Sequence, residues 1–231
     1  CIRDRASTVL KHCVQILDFK EPNAGGLGAV DASLLEGFAD LASGENGRSK
    51  FSFAAGELID ANKNLIDQYS TTVLHYFDYV KIGLAGCAEL PDWQDRWRAY
   101  FSGTVNARPV MVAYFDYQAC KAPSIDACLE LASQVEGCET ILLDTFYKTH
   151  DLFASIDLKS LKAFASRVRD AKLKLVVAGS VNTSTLAKVL SAVPDFVGVR
   201  GAVCNGSRAG SIDPERVKQL VASLANASTY S

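Results

Sequence analysis

Short β-rich runs alternate with amphipathic helical stretches along nearly the whole chain. In the helical stretches the apolar positions recur every three or four residues, as at Leu161, Ala165 and Val168, and form one stripe that can pack on a sheet. Strand and helix alternating this regularly predict parallel βαβ units and an α/β fold. The predicted strands are Val14–Lys20, Lys50–Ala54, Tyr79–Leu84, Pro109–Asp116, Thr140–Phe146, Leu173–Gly179 and Asp195–Gly201.

Eight βα units would close a (β/α)8 TIM barrel, and the predicted strands are one short of that number. The helical pattern Asp4–Cys13 needs a strand before it, and Cys1–Ile2 fit the last residues of that strand. Because the chain opens without methionine, we expect the rest of the strand upstream. We therefore predict one domain over residues 1–231, a TIM barrel with its first strand clipped at the N-terminus. An open doubly wound sheet is the alternative, and the polar tail Ala225–Ser231 is expected to fray.

Composition and charge exclude several classes of protein. The chain has 231 residues, of which 48% are hydrophobic and 22% charged, so disordered and collagen-like folds are excluded. A formal net charge of -2 gives no general attraction for nucleic acid. We expect no membrane association, because no apolar stretch reaches the ~18–20 residues that span a bilayer. Without a signal-peptide segment either, a cytoplasmic location is predicted.

The cysteines and histidines do not indicate a metal site. Seven cysteines lie scattered without a Cys-x-x-Cys pair, at positions 1, 13, 87, 120, 128, 138 and 204. This pattern favours reduced structural thiols over disulfides or a zinc site. None of His12, His75 and His150 has metal-ligand spacing to a second histidine or a cysteine. We expect neither a metal nor another cofactor.

Charged residues occupy strand positions where apolar residues are usual. Period-two geometry puts Asp18 and Lys20 on one face of the first run, at its end. Lys81 lies within a run whose apolar neighbours suit the helix-facing side, so it is predicted to point inward. Asp144 ends a run, and Lys148 follows four residues later. The C-terminal ends of barrel strands carry the active site, so these five residues are predicted to meet at one mouth.

Taken singly, these residues also have structural explanations. Asp116 ends the fourth run, and an aspartate in this position usually caps a helix or braces a loop. Substrate binding by Asp116 is the alternative. Lys81 could form a structural ion pair with Asp18 or Asp144. The convergence of three lysines and several carboxylates on one mouth favours function over pairing alone.

Lysines crowded into a partly dry pocket predict amine chemistry. Neighbouring positive charges and burial lower the pKa of an amine and free it to attack a carbonyl, which is Schiff-base chemistry. Nearby carboxylates could exchange the protons of enolisation, aldol addition and dehydration.

Two glycine-bearing turns follow the last two predicted strands, where barrels bind phosphate. The first contains Gly179 and Ser180, and the second contains Arg200 and Gly201. Backbone N–H groups could approach phosphate oxygens at the glycines, and Arg200 could add charge. Ordinary βα-turn glycine is the alternative.

Two further motifs are assigned to the loops and the core. The segment from Gly25 to Gly28 lacks the spacing of a dinucleotide loop and is expected to be a mobile lid over the mouth. Trp93 and Trp97 begin an aromatic helical stripe typical of packing or of a subunit interface. We expect a homo-oligomer.

Linked motifs along most of the chain resemble the (5-formylfuran-3-yl)methyl phosphate synthases, whose signature is D-x-K-x-P-x-x-G-x-L-G-A. The similarity continues through the strands that carry Lys81 and Asp144 and through the turn after Val199. The matching residues are Asp18-Phe19-Lys20-Glu21-Pro22, Gly25 and Leu27-Gly28-Ala29.

The resemblance implies condensation of two glyceraldehyde 3-phosphate molecules into 4-(hydroxymethyl)-2-furancarboxaldehyde phosphate, with loss of phosphate and water, in methanofuran or methylofuran biosynthesis. It implies a catalytic set of Asp18, Lys20, Lys81, Asp144 and Lys148. Lys20 would form the Schiff base, Lys148 and Asp144 would transfer protons, and Lys81 would supply charge or orient substrate. Two alternatives stay open: a class I type aldolase or other Schiff-base phospho-sugar lyase, and a non-catalytic barrel that binds a phosphorylated metabolite.

Overall fold

Seven parallel strands form one sheet whose spatial order follows the order along the chain. The computed structural model describes residues 2–12, 14–21, 24–43, 49–103, 107–206 and 210–228. Every predicted run contains most or all of one strand, so the seven predicted strands are confirmed, although most are shorter than the run. The strands are β1 Ile16–Phe19, β2 Lys50–Glu57, β3 Tyr79–Gly83, β4 Arg108–Tyr114, β5 Thr140–Asp144, β6 Lys174–Val177 and β7 Phe196–Val197.

Helices connect the strands. At the start of the helix Leu158–Asp170, the Asp157 side chain accepts a hydrogen bond from the backbone N–H of Ser160 at 2.7 Å. The predicted stripe of Leu161, Ala165 and Val168 is buried, as helical periodicity requires. The helices are α1 Ile2–Leu10, α2 Ala32–Ser43, α3 Leu65–Gln68, α4 Thr71–His75, α5 Trp93–Tyr100, α6 Ile125–Gln134, α7 Leu158–Asp170, α8 Thr183–Leu190 and α9 Pro214–Ser228.

Side chains alternate between the two faces of the sheet. Val80 and Ile82 belong to the large core between sheet and helices, whereas Lys81, between them, faces inward as predicted. The same alternation sends Phe19 outward and Asp18 inward. A second apolar cluster fills the inner side and includes Ala54, Tyr79, Val110, Val112, Tyr114 and Leu142. The strand pattern therefore places charged side chains on the inner face of the sheet, next to this inner apolar cluster.

The sheet runs from β1 to β7, and within the described residues no ladder joins those two strands. The sequential order excludes the doubly wound alternative, in which the strand order reverses at a switch point. The expectation that Ile2 ends a strand is wrong: Ile2 begins α1, whose Ala6 and Leu10 are buried in the core. Cys1 lies outside the described residues. An eighth strand that closes the barrel stays a prediction.

The C-terminal tail is more helical than predicted. Helix α9 continues through Ser228, so residues 225–228 belong to a helix, and residues 229–231 lie outside the described chain. Fraying of this end stays a prediction. Leu220 and Leu224 pack against the main core, and these contacts stabilise the helix.

The cysteines and the aromatic stripe are part of the packing. Five free, buried thiols confirm the predicted structural role for that part of the set, while positions 1 and 13 lie outside the described residues. Burial raises the pKa of Cys87 to about 11, which disfavours the reactive thiolate. Trp97 is fully buried, with its ring 4.6 Å from that of Phe101, so the stripe packs within the chain. No helix in the described ranges combines the length and the apolar run needed to cross a membrane.

Candidate functional site

The C-terminal ends of β1, β3 and β5 bring the predicted charged residues to one edge of the sheet. Asp18 is in register with Ser52 of β2, and Lys81 with Ala54. Asp144 ends β5 opposite Tyr114 of β4. Since all strands are parallel, their carboxyl ends share one rim, which is the predicted mouth.

Lys81 and Asp18 form an ion pair at this rim. The Lys81 side chain is only 9% exposed, whereas Asp18 is 35% exposed. Asp18 also accepts a hydrogen bond from the Ser52 hydroxyl at 2.6 Å. The pair compensates a lysine charge that would be costly to bury alone, and it leaves the carboxylate partly open to the mouth.

Asp144 and Lys148 form a second, more deeply buried pair. Asp144 Oδ1 lies 2.5 Å from Lys148 Nζ and accepts a hydrogen bond from the Thr145 backbone N–H at 2.8 Å. Burial by itself would raise the pKa of Asp144. The ammonium groups of Lys148 and Lys20 and these hydrogen bonds outweigh burial and hold the pKa below its usual value of 3.8. Asp144 is therefore ionised at neutral pH.

Lys20 differs from the other two lysines because no carboxylate forms a close ion pair with it among the described residues. Its Nζ donates to the Gly26 carbonyl at 3.2 Å. Burial lowers the pKa of Lys20 to about 8, and the charges of Lys148 and Lys81 act in the same direction, while the charges of Asp144 and Asp18 oppose them. A sizeable fraction of this amine is unprotonated at mildly basic pH, as a carbonyl nucleophile requires.

The loop after β1 is tied to Lys20. A cavity of about 100 Å³ lies beside the Lys20 side chain and is also lined by Ala29 and Val30. Gly26 packs on the backbone of Phe146, in the loop after β5. Pro22 of the family signature lies outside the described residues. Motion of the segment from Gly25 to Gly28 as a lid stays a prediction.

Asp116 holds the loop after β5. Its two carboxylate oxygens accept hydrogen bonds from the backbone N–H groups of Phe146 and Tyr147, at 2.8 and 2.9 Å. These contacts agree with the loop-bracing interpretation. A direct contact of Asp116 with substrate stays a prediction.

The two glycine-bearing turns follow β6 and β7 at the same edge of the sheet. Gly179 has φ of 98° and Ser180 has φ of 55°, so both lie in the left-handed region. A Cβ at Gly179 would come within 3.0 Å of the Thr145 side chain, which places this turn next to the Asp144 segment. Arg200 precedes a short 3-10 turn that begins at Gly201.

Sequence reasoning missed Glu57 and Tyr114 at this edge. Strand β2 was predicted to end at Ala54 but continues to Glu57. Glu57 Oε1 accepts a hydrogen bond from the Tyr114 hydroxyl at 2.7 Å, and Oε2 accepts one from the Ala85 backbone N–H at 2.9 Å. An acidic residue directly after Gly56 was the available signal, because glycine within a strand often marks a bulge that re-aims the next side chain.

A cavity of about 560 Å³ lies elsewhere, at the N-terminal end of β4. Arg108 at its wall is paired with Glu139 at 2.9 Å. This end of parallel strands contributes to stability in barrel proteins rather than to chemistry, so we place the candidate active site at the lysine-bearing edge.

Comparison with solved structures identifies the fold. A triosephosphate isomerase from Bartonella henselae has a TM-score of 0.53 and 14% identity, with 94% of this chain and 89% of that chain covered. A phosphoribosyl anthranilate isomerase from Thermus thermophilus has a TM-score of 0.54 and 11% identity, with 96% and 94% covered. At such identities the likeness concerns the fold alone, and it supports a TIM-barrel-like arrangement.

Sequence comparison identifies the family. A relative from Methanosarcina barkeri named (5-formylfuran-3-yl)methyl phosphate synthase is 27% identical over 217 residues, which cover 90% of this chain and 89% of the relative. A relative of the same name from Archaeoglobus fulgidus is 25% identical over 211 residues, which cover 89% and 88%. The family model described as 4-HFC-P synthase matches residues 3–221. Since that match spans nearly the whole chain, the chain belongs to the 4-HFC-P synthase family.

Proposed function

We propose that this protein is a (5-formylfuran-3-yl)methyl phosphate synthase that acts in furan-cofactor biosynthesis. It condenses two molecules of glyceraldehyde 3-phosphate into 4-(hydroxymethyl)-2-furancarboxaldehyde phosphate, and the atoms balance with release of one phosphate and two waters. The observation that carries the proposal is the difference in partners among the three lysines: Lys81 and Lys148 are ion-paired, whereas Lys20 is partly buried and lacks such a close partner among the described residues.

Lys20 is the nucleophile in this proposal. Its amine adds to the aldehyde carbon of one substrate molecule, and loss of water from the adduct gives an imine. Removal of a proton from the carbon next to the imine gives an enamine, which attacks the aldehyde carbon of the second molecule. The lowered pKa of Lys20, about 8, supports this role because the free amine is available without a strong base.

The two ion pairs supply charge around the reacting carbons. The Asp144–Lys148 pair can exchange protons with substrate hydroxyl groups, and Lys81 can orient the anionic substrate while Asp18 balances its charge. No metal is needed in this scheme, because the imine itself acts as the electron sink.

The turns after β6 and β7 are proposed to bind the two phosphate groups. In the first, the left-handed backbone at Gly179 and Ser180 directly precedes α8. In the second, Arg200 adds a positive charge beside Gly201. Two turns match the two phosphates that enter the reaction.

The test is to incubate the protein with glyceraldehyde 3-phosphate and to follow phosphate release together with an ultraviolet-absorbing product identified by mass. A phosphorylated furfural, together with a borohydride-reduced adduct on the Lys20 peptide, supports the synthase. Reversible carbon–carbon bond formation without a furan would point to an aldolase. Neither product nor adduct would point to a binding protein and overturn the proposal.

A further inference from the structure

A second acid–base group lies at the lysine-bearing edge, outside the set that the family resemblance supplies. Glu57 of β2 is partly buried and bonds through one oxygen to the Tyr114 hydroxyl and through the other to the Ala85 backbone N–H. Tyr114 is fully buried on β4 and stands in register with Asp144 of β5. The proposed mechanism assigns no task to either Glu57 or Tyr114.

A bulge in β2 turns Glu57 toward the interior. The pairing with β3 passes from Ala54 opposite Lys81 to Glu57 opposite Gly83, so three steps on β2 match two on its partner. Regular alternation after inward-facing Ala54 would send Glu57 to the outer face, and one extra residue reverses that. Gly56 has φ of 95° and supplies the left-handed backbone that the bulge uses.

Gly83 leaves room for the Glu57 carboxylate. A Cβ at Gly83 would lie 2.0 Å from Glu57 Oε2, so any other residue would displace the carboxylate. The bulge in β2, the missing side chain at Gly83 and the two hydrogen-bond donors, Tyr114 and Ala85, therefore hold the Glu57 carboxylate at this edge of the sheet. A carboxylate held in this way has the construction of a functional group in a site rather than of a solvated surface residue.

The surroundings keep Glu57 ready to change its protonation state. Burial raises its pKa to about 7, the hydrogen bonds from Tyr114 and Ala85 oppose this, and the charges of Asp60 and Asp144 reinforce it. The thiols of Cys87 and Cys120 also interact with Glu57, and both are protonated at neutral pH because burial raises their pKa.

Tyr114 acts as a donor to Glu57. Burial raises the pKa of Tyr114 well above its usual value, so its hydroxyl keeps its proton and continues to donate. Asp144, in contrast, is held ionised by two ammonium groups and is a weak base. A reaction that expels phosphate and two waters needs a group that can both take and return a proton near neutral pH.

We propose that Glu57 transfers protons to and from the substrate and that Tyr114 positions its carboxylate. This inference rests on the proposed function, since it requires an imine on Lys20. The Glu57 carboxylate removes the proton from the carbon next to the imine carbon. The C–H electron pair becomes the double bond of the enamine, and the C=N electron pair moves to nitrogen. When the enamine carbon bonds to the aldehyde carbon of the second substrate molecule, the C=O electron pair moves to oxygen, which takes the proton of Glu57 and becomes a hydroxyl group, while the C=N bond forms again. This transfer regenerates the Glu57 carboxylate.

The first test is Glu57→Gln, which keeps the size of the side chain and removes its acid–base capacity. We expect kcat for phosphate release to fall by about 10²- to 10⁴-fold, while borohydride still labels Lys20. In D₂O the unaltered protein should exchange the hydrogen next to the imine carbon, and the variant should not. Unchanged exchange or near-normal turnover in Glu57→Gln would overturn the inference. Glu130→Gln, on the exposed side of α6, is the matched control and should behave as the unaltered protein.

The second test uses Tyr114→Phe and the pH profile. The lost O–H donor had favoured the charged carboxylate, so its removal raises the pKa of Glu57. The rise of the exchange rate near pH 7 should move to higher pH. A lower rate with an unmoved profile would mean a structural role and would overturn the positioning of Glu57 by Tyr114.

The outcomes separate this inference from the proposed function. If the unaltered protein forms neither an adduct nor a furan, the proposed function fails. If it forms both and Glu57→Gln does so equally well, only the inference fails. Should Glu57→Gln not fold, Glu57→Asp keeps a carboxyl group at greater distance from substrate. Slower exchange that still depends on a group titrating below the Lys20 amine is then expected, and loss of that dependence would contradict the inference.

Discussion

At the scale of single residues, the three lysines of the site differ in their partners. Lys81 and Lys148 each lie against a carboxylate, whereas Lys20 donates to a backbone carbonyl that carries no net charge. A full carboxylate partner stabilises the ammonium form, and a carbonyl does so far less. Sequence position alone could not make this distinction, because all three lysines were predicted at one mouth. This difference in partners is the reason that Lys20 is proposed as the nucleophile.

Lys20→Ala should abolish turnover and leave the fold intact. In the proposed mechanism Lys20 is required for chemistry, and its removal deletes an amine whose charged form is disfavoured by burial. We expect phosphate release to fall by at least about 10³-fold, the usual scale for loss of a covalent nucleophile. Far-ultraviolet circular dichroism and the thermal midpoint check the fold. Lys162→Ala, on the exposed side of α7, serves as the control. An unfolded variant whose refolded fraction remains active would refute this assignment.

Lys81→Arg should be poorly tolerated. A planar guanidinium has a different shape from the compact ammonium that bonds Asp18 in a nearly closed space. We expect kcat/KM to fall by about tenfold or more, equivalent to ~1.4 kcal/mol in the transition state. Lys174→Arg, at the exposed start of β6, makes the same change outside the site and should have no effect. A fully active Lys81→Arg enzyme would show that the shape of the cation is unimportant.

At the scale of elements, alternation along the strands was the most reliable guide from sequence. It correctly assigned Asp18 and Lys81 to the inner face, because period-two geometry follows directly from an extended backbone. The same rule failed beyond Ala54, where the bulge inserts one residue and reverses the facing of Glu57. A bulge depends on pairing with the neighbouring strand, and a single run of residues does not contain that information.

The loop after β1 provides a stability test at this scale. In Gly28→Ala, the added Cβ would lie 2.0 Å from the Glu21 carbonyl and 2.8 Å from the Ala24 side chain. Because backbone must move, we expect a loss of about 1–3 kcal/mol in the free energy of unfolding. Gly37→Ala in α2 meets nothing within 4 Å and should stabilise the protein by up to about 1 kcal/mol through helix propensity. Urea unfolding measures the free energy of unfolding of both variants. Equal values for Gly28→Ala and Gly37→Ala would contradict the close approach at Gly28.

At the scale of the whole molecule, the order of helices and strands was predictable because each βα unit is a local pattern. The seven strands and their parallel arrangement follow from alternation. Closure of the sheet between β7 and β1 could not be derived from the sequence, because a helical pattern does not reveal whether the residues before it pair with a sheet. Ile2, which was expected to end a strand, is helical. Charges that cluster from distant strands were predictable as a group, but their pairing required the three-dimensional structure.

Asp144 and Glu57 should make the free energy of unfolding depend on pH in opposite directions. Asp144 has a folded-state pKa below its usual 3.8, so its stabilisation is present above that value and is lost as pH falls through the lower folded pKa. Glu57 has its folded-state pKa raised to about 7, so its contribution is present below the ordinary value of 4.5 and is lost as pH rises through about 7. Together they favour a maximum of stability in mildly acidic solution.

Asp144→Asn separates the two dependences. The substitution leaves the Lys148 ammonium without its carboxylate, and we expect a loss of about 3 kcal/mol at pH 7. It should also flatten the fall in stability below about pH 4, while the decline that Glu57 causes toward neutral pH persists. Urea unfolding between pH 3 and pH 8 measures both. Asp126→Asn removes the carboxylate of an exposed pair with Arg167 and should change stability by no more than about 1 kcal/mol. Equal losses in the free energy of unfolding for the two variants, with the same dependence on pH, would contradict a stabilising role for the charge of Asp144.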